Sequence, residues 1–591
     1  VCLYLIPVVW LGLCFAWLMM VRHRAYSDVL QWYAGRWPNA FDVKTMRDVC
    51  FTPARDRFLA DHSGLLMTGV AFVAAVYFVM GRRVLAVLRE CVEAAGMVLS
   101  SMKEAYGRCS LRERTLMGGL FGAILAYRLY WVLAAPMHPD ELCSYLYFAR
   151  QGWWVTATCY PLPNNHILFN LIVSALNLVP GLSPGLVMRL PSVLSDLLLQ
   201  ALIFWLFLRW GGYWRAMAVV LGTAFCYLLS YYATHGRGYG MQELCALVTG
   251  VAAWRRWVGG KEDGVALFVV FSVAGLYINP AFVYHFTAVV LFCGWRLWRS
   301  KDRKGGFELV RAVLLTGWLG FILYLPMLLV SGAGGLSEEV TVFGVGAGEG
   351  WSWLIHRLPD LAYDFKVMIY YGRPGFWMFC GLALLGGWLY RSGRLRGPFY
   401  DGFAGYFIAT AISFLFWSIP ARRYPYDRTL VYLALALSLV FMNACYDLWR
   451  SRPGSRNWVF GCFLVIKLAG SVRGLVWERY SLDSLPEALC SRVVRQDLDR
   501  LWEMHPGSWQ ITKSNDYYPM YLGLYLIEHR DGARVIRDRE RAVGDVLFLP
   551  VIYRGNFERK GYRVWGENRL TVEGAMGMEI DVAGRLGGVQ K

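Results

Sequence analysis

Long apolar runs broken by short polar segments fill most of the chain. Runs of span length, or nearly so, fall at about 2–20, 64–80, 116–135, 186–208, 214–234, 238–258, 264–279, 281–298, 308–330, 374–390, 402–420, 429–446 and 457–475. About 20 apolar residues in helical form cross the roughly 30 Å hydrocarbon core of a bilayer, so the pattern predicts an all-α polytopic membrane protein with about thirteen transmembrane helices. A further run, 166–180, is short for a span. It is expected to form a helix lying at the outer interface, with a short span as the alternative. Beyond about residue 477 the pattern changes to mixed charge, with short β-rich runs such as 545–553 and turn signals such as Arg554-Gly555-Asn556. That tail is long enough for a small α/β domain.

The polar segments orient the spans. Residues 82–114, 255–261, 296–304, 391–396 and 450–456 are strongly basic, and basic loops stay on the cytoplasmic side. With all five inside, the helix count between each pair is even. The N-terminus is then inside, while 136–185, 331–373 and the tail are outside. The first run lacks a basic flank and a small-residue cleavage site, so it reads as a retained span. Three regions result: 1–115, a two-helix N-terminal extension and cytoplasmic linker; 116–476, a transmembrane catalytic region; and 477–591, an extracytoplasmic domain.

Composition agrees with this reading. Hydrophobic residues make up 57% and charged residues only 17%, against about a quarter charged in soluble domains. The net charge of +18 does not mark a nucleic-acid binder, because Lys and Arg cluster between apolar runs rather than along one face. Most of the 14 cysteines lie in apolar runs, where a thiol acts as a small hydrophobe. Cys143 and Cys159 flank an outer loop and could pair in an oxidising compartment, although two free thiols are the simpler expectation. The Gly-rich stretch 344–350 follows no strand and reads as an external loop, not a dinucleotide site.

Candidate chemistry gathers on the outer side. His138-Pro139-Asp140-Glu141 directly follows the 116–135 helix, which puts two acids at the membrane edge. A helix start also favours Pro and acidic residues, and that explains the pair equally well in isolation. The same loop, however, holds Trp153, Trp154 and Tyr160 as flat surfaces and Asn164, Asn165 and His166 as polar groups. Arg422, Arg423 and Arg428 stand in a loop that parity places outside, against the positive-inside tendency. One such Arg could reach lipid headgroups, but three within eight residues suit an anionic ligand, because planar guanidinium forks match phosphate oxygens.

HPDE, then Asn164-Asn165-His166-Ile167, Met188-Arg189-Leu190-Pro191, Arg237-Gly238-Tyr239 and Pro420-Ala421-Arg422-Arg423-Tyr424 recur in the order and placement of GT-C glycosyltransferases. The chain resembles the protein O-mannosyltransferase and aminoarabinose transferase type over most of 116–446. The resemblance implies a GT-C fold and an inverting transfer of a sugar from a polyprenyl-phosphate donor to a protein, lipid or glycan acceptor; the basic-loop topology puts the reaction at the extracytoplasmic face, and the compact loops with no retention signal point to an inner (plasma) membrane. The resemblance also implies Asp140 as general base, with Glu141 as a second acid that orients the acceptor. Arg422, Arg423, Arg428, Arg237 and Arg189 become candidates for the donor phosphate. Asn165, His166, Trp153, Trp154 and Tyr239 become candidates for substrate binding. Glu141 and His166 could help hold a divalent cation, Mg or Mn. Alternatives are a lipid-linked glycan polymerase or ligase, which would not need an acidic pair after an early helix, and a polytopic transporter, which would show broken helices in matching halves.

Overall fold

The chain is described by a computed structural model that covers residues 2–34, 51–135, 137–160, 165–261, 264–333, 397–421 and 430–451, with four strands between 509 and 585. It is a predominantly helical, multi-pass membrane protein. Among the described residues seven helices are long and apolar enough to cross a bilayer, or eight if one bent pair counts as a span. Eleven of the thirteen apolar runs fall here, and each coincides with a helix or helix pair. The runs 374–390 and 457–475 lie outside the described residues.

Not every run is a simple span: the helices of runs 238–258 and 429–446 fall short of one, and three others differ further. Run 64–80 is only the first part of α4 (Ser63–Arg108), after α1 (Cys2–His23), α2 (Tyr26–Ala34) and α3 (Pro53–Asp61). At 46 residues α4 is about 69 Å long, more than twice the hydrocarbon thickness. The basic stretch after residue 82 is therefore largely helix, where a linker was expected. It continues until Cys109 turns extended and Ser110 caps α5 (Leu111–Ala134) through a reciprocal Ser110–Glu113 box. Run 214–234 breaks into α10 (Tyr213–Ala224) and α11 (Tyr227–Thr234), bent by 70°. Run 264–279 is α13 (Val265–Ile278), whose 14 residues reach only about 21 Å.

The short 166–180 run forms α8 (Ile167–Leu176), preceded by α6 (Pro139–Tyr147) and α7 (Trp153–Thr158). Ten residues span about 15 Å, so α8 is too short to cross a bilayer and the alternative of a short span fails. The long α9 (Pro184–Gly211) starts at a Ser183 cap with Pro184 in the first turn. The bundle continues with α12 (Tyr239–Ala253), α14 (Val283–Ser300), α15 (Arg303–Val330), α16 (Pro398–Ala421) and α17 (Val431–Ser451).

A buried ion pair fixes the bundle from inside. Arg128 of α5 and Asp196 of α9 pair at 2.8 Å, both wholly buried, and Arg128 also donates to Ser230 Oγ and the Ala224 carbonyl. A charge this deep survives only with its hydrogen bonds filled. The N-terminal helices also join the main core. Trp10, Trp17 and Tyr33 cluster with Trp154, Phe169 and Val187, and the Tyr33 hydroxyl lies 2.8 Å from Thr158 Oγ1. Arg55 of α3 donates from Nε to the Leu329 carbonyl at the end of α15. In the tail, β1 (Trp509–Ile511), β2 (Val546–Pro550), β3 (Tyr562–Val572) and β4 (Met578–Arg585) form one sheet of order β1-β2-β4-β3, with β1 and β2 parallel. The β-rich run 545–553 contains β2.

Candidate active site

Residues 137–141 lead the chain into the start of α6. His138 is the N-cap: its side chain accepts from the Asp140 N–H at 3.2 Å, and its own N–H donates to Glu141 Oε2 at 2.7 Å. Pro139 takes the first helical position, where its missing N–H costs nothing. Adjacent residues on a helix point about 100° apart, so Asp140 and Glu141 meet different surroundings.

Glu141 faces inward and is fully buried. Arg189 on α9 grips it with two parallel bonds, Nε to Oε1 at 3.0 Å and Nη2 to Oε2 at 2.8 Å, and the Gly236 N–H donates to Oε1. Arg189 spends Nη1 on the Val132 and Ala135 carbonyls, 2.9 and 2.7 Å away. Burial alone would push the Glu141 carboxyl up. The Arg189 charge and hydrogen bonds, aided by His235 and the Gly236 N–H, outweigh burial and hold it down to about 2. The pair thus ties three places together: the end of α5, the start of α6, and the loop between α11 and α12.

Asp140 faces outward with 28% of its side chain exposed, against 0% for Glu141, so only Asp140 can meet a substrate directly. Arg237 pairs with its Oδ2 and reaches His166 Nε2 through its other terminal nitrogen at 3.1 Å. A guanidinium only donates, so Nε2 accepts and the His166 proton is assigned to Nδ1. Tyr239 closes the cluster: its ring lies 5.3 Å from the Arg237 guanidinium carbon and 4.9 Å from the His166 ring, edge to face. Gly236 and Gly238 let this loop approach closely. A Cβ at Gly236 would stand 2.8 Å from Met188 Cβ, and one at Gly238 only 2.5 Å from Ile278 Cγ2.

The fold thus brings together Asp140, Arg237, His166 and Tyr239, with Glu141 and Arg189 behind them. Other candidates lie apart. Asn165 is sealed inside, donating to the Thr156 and Cys159 carbonyls at 2.8 and 2.7 Å and accepting from Asn170. Trp154 is buried against Trp10 and Trp17, and Trp153 rests on Trp10 with 47% of its surface open. Asn164, Arg422, Arg423 and Arg428 lie outside the described residues. Glu141 and His166 do not fit a divalent cation here, because four donors already surround the Glu141 oxygens and Arg237 takes His166 Nε2. No group of three metal-type ligands occurs among the described residues. Cys159 is disulfide-bonded but Cys143 is not its partner, so the Cys143–Cys159 pairing does not form and the expectation of two free thiols fails at Cys159.

Sequence reasoning placed Arg237 with the phosphate candidates, gave His138 no role of its own, and missed His235 and Gly236. The glycines on either side of Arg237 were the available signal, since an Arg between two small residues can be held against packed backbone.

The chain matches no protein-family profile and no curated protein. Among solved structures it is similar to the crystal structure of ArnT from Cupriavidus metallidurans in the apo state, with 15% identity and a TM-score of 0.49 over 79% of this chain and 98% of the other. It is also similar to the single-particle cryo-EM structure of the arabinosyltransferase EmbB from Mycobacterium smegmatis, with 14% identity and a TM-score of 0.38 over 70% of this chain and 45% of the other.

Proposed function

We propose that the chain is a membrane glycosyltransferase that moves a sugar from a polyprenyl-phosphate donor to a hydroxyl on a glycan, lipid or protein acceptor. The observation that carries this reading is the division of labour in the HPDE segment. Asp140 stands open beside Arg237, while Glu141 is locked away by Arg189. An open carboxylate next to a guanidinium supplies what an inverting displacement at an anomeric carbon requires.

In the proposed step the donor phosphate competes with Asp140 for Arg237 and frees the carboxylate. Asp140 takes the proton of the acceptor hydroxyl as its oxygen bonds to the anomeric carbon. The bond from that carbon to the phosphate oxygen breaks, and its electron pair leaves with the lipid phosphate, beside Arg237. Arg422, Arg423 and Arg428 are proposed to complete the phosphate site. Glu141 and Arg189 act as positioning residues that fix the start of α6. Metal dependence is not part of this proposal, because Glu141 and His166 are otherwise engaged.

The site is proposed to face the exterior or periplasm of an inner or plasma membrane. Placement of the five basic segments in the cytoplasm supports this, and so does the Cys159 disulfide, since disulfides persist in oxidising compartments. The tail carrying β1–β4 is proposed to lie on the same side. The test is sugar transfer by purified protein from undecaprenyl-phosphate pentoses and hexoses to a panel of glycan, lipid and peptide acceptors. Transfer that disappears in Asp140→Asn is expected. Equal transfer by that variant, or none from any donor, overturns the reading.

A further inference from the structure

A cavity of about 540 Å³ lies between α9, α12, α14, α16 and α17, and it opens at the end of the bundle away from Asp140. Along α9 the separation is 20 residues, from Arg189 beside the site to Arg209 at the cavity mouth, or about 30 Å. The volume is within the roughly 300–1,000 Å³ typical of small-ligand sites.

Its walls are built for an apolar occupant. Trp254 and Phe292 stack at 6.0 Å, and both press onto glycines of α16: a Cβ at Gly402 would meet Trp254 at 2.2 Å, and one at Gly405 would meet Phe292 at 2.5 Å. The mouth is cationic, with Arg209, Arg255 and Lys261, and no carboxylate appears among the described lining residues. Trp254–Val258 forms a π turn at the end of α12. This turn places the neighbouring Trp254 and Arg255 on the same cavity, and such turns concentrate at functional sites. The inner end is polar: His285 Nδ1 lies 2.8 Å from the Tyr406 hydroxyl, with the Tyr432 ring 5.1 Å from the imidazole.

We infer that this cavity binds an anionic membrane lipid from the leaflet opposite the candidate active site, with its chain among Trp254, Phe292 and Phe403 and its headgroup phosphate on Arg209, Arg255 and Lys261. Lys and Arg beside a bilayer attract anionic headgroups in any case. The added feature here is an apolar chamber directly behind three of them.

Photolabelling tests the inference without recourse to activity. The full-length protein, in nanodiscs of dioleoyl phosphatidylcholine, receives a trace of phosphatidylglycerol carrying a diazirine on one acyl chain, or the matching phosphatidylcholine probe. Adducts are then mapped by peptide mass spectrometry. The phosphatidylglycerol probe is expected to label 246–254 and 398–406 at least fivefold more than the phosphatidylcholine probe. A Cβ at Gly250 meets nothing within 4 Å, so Gly250→Leu places bulk in open space and is expected to cut that labelling severalfold. The double variant Arg209→Glu, Lys261→Glu changes only exposed side chains and is expected to abolish the headgroup preference. Equal labelling by the two probes, or a preference unchanged in the double variant, overturns the inference.

Discussion

At the residue scale, two adjacent acids have opposite fates, and substitution separates them. Asp140→Asn is expected to lower transfer by about 100- to 10,000-fold, as for loss of a general base, with thermal unfolding unchanged. Glu141→Gln removes the charge that compensates buried Arg189, and stability should fall by about 3–5 kcal/mol in a denaturant titration. Parental activity in the first variant, or parental stability in the second, would reverse the assignment. Acid should act on the same cluster. Burial first, then the nearby His138 and Arg189 charges, lower the His235 imidazole to about 4 against the pull of Glu141. A folded His with a depressed pKa binds fewer protons than the unfolded chain, so its contribution to stability is lost as pH falls from about 6.5 to 4. Glu141, held at about 2, adds stability that is present above 4.5 and lost between about 4.5 and 2. The melting temperature should therefore drop in two stages on acidification, and His235→Gln should remove the first. A single stage in both proteins would show that His235 is not buried in its neutral form.

At the element scale, α1 and α7 form one aromatic wall. Trp10 packs against Trp153 and Trp154 at 5.5 and 6.4 Å, and the Tyr33–Thr158 bond closes its far side. Trp154→Ala opens a large hole in that wall and is expected to cost about 3–5 kcal/mol of stability. The donor KM of the folded fraction should stay at the parental value, because the indole is spent on packing. A raised KM with stability intact would return Trp154 to the substrate. Elements were easier to read than their ends: the apolar runs located the long described helices, but they gave no notice of the short α2, α3 and α7 or that α4 runs on through its basic half. Arg82, Arg83 and Arg89 looked like a loop because charge marks solvent, and an exposed helix is equally charged.

At the scale of the whole molecule, the prediction is topological. In a background without other reactive thiols, Cys at Gly346 should react with an impermeant thiol reagent added outside intact cells, and Cys at Ser392 should not. The opposite result would invert the proposed placement of the site. The long α4 fits the expected orientation, since its basic half meets α9 at Ser101, which accepts from Trp205 and Arg209 at 3.2 and 3.0 Å. That contact lies at the same end of the bundle as the basic cavity mouth.

The sequence alone determined the solvent in which this protein folds and the number and positions of its apolar runs. Each of these follows from the transfer of single residues between water and hydrocarbon, which needs no partner. Tertiary structure alone decided which acid is open and which is locked, because Asp140 and Glu141 are alike until Arg189, 48 residues away, takes one of them. It also decided that Arg237 joins Asp140 to His166 and that Trp154 faces α1. Those outcomes depend on helix crossings that bring distant residues within about 3 Å, where hydrogen bonds act, and no local pattern along the chain encodes a crossing.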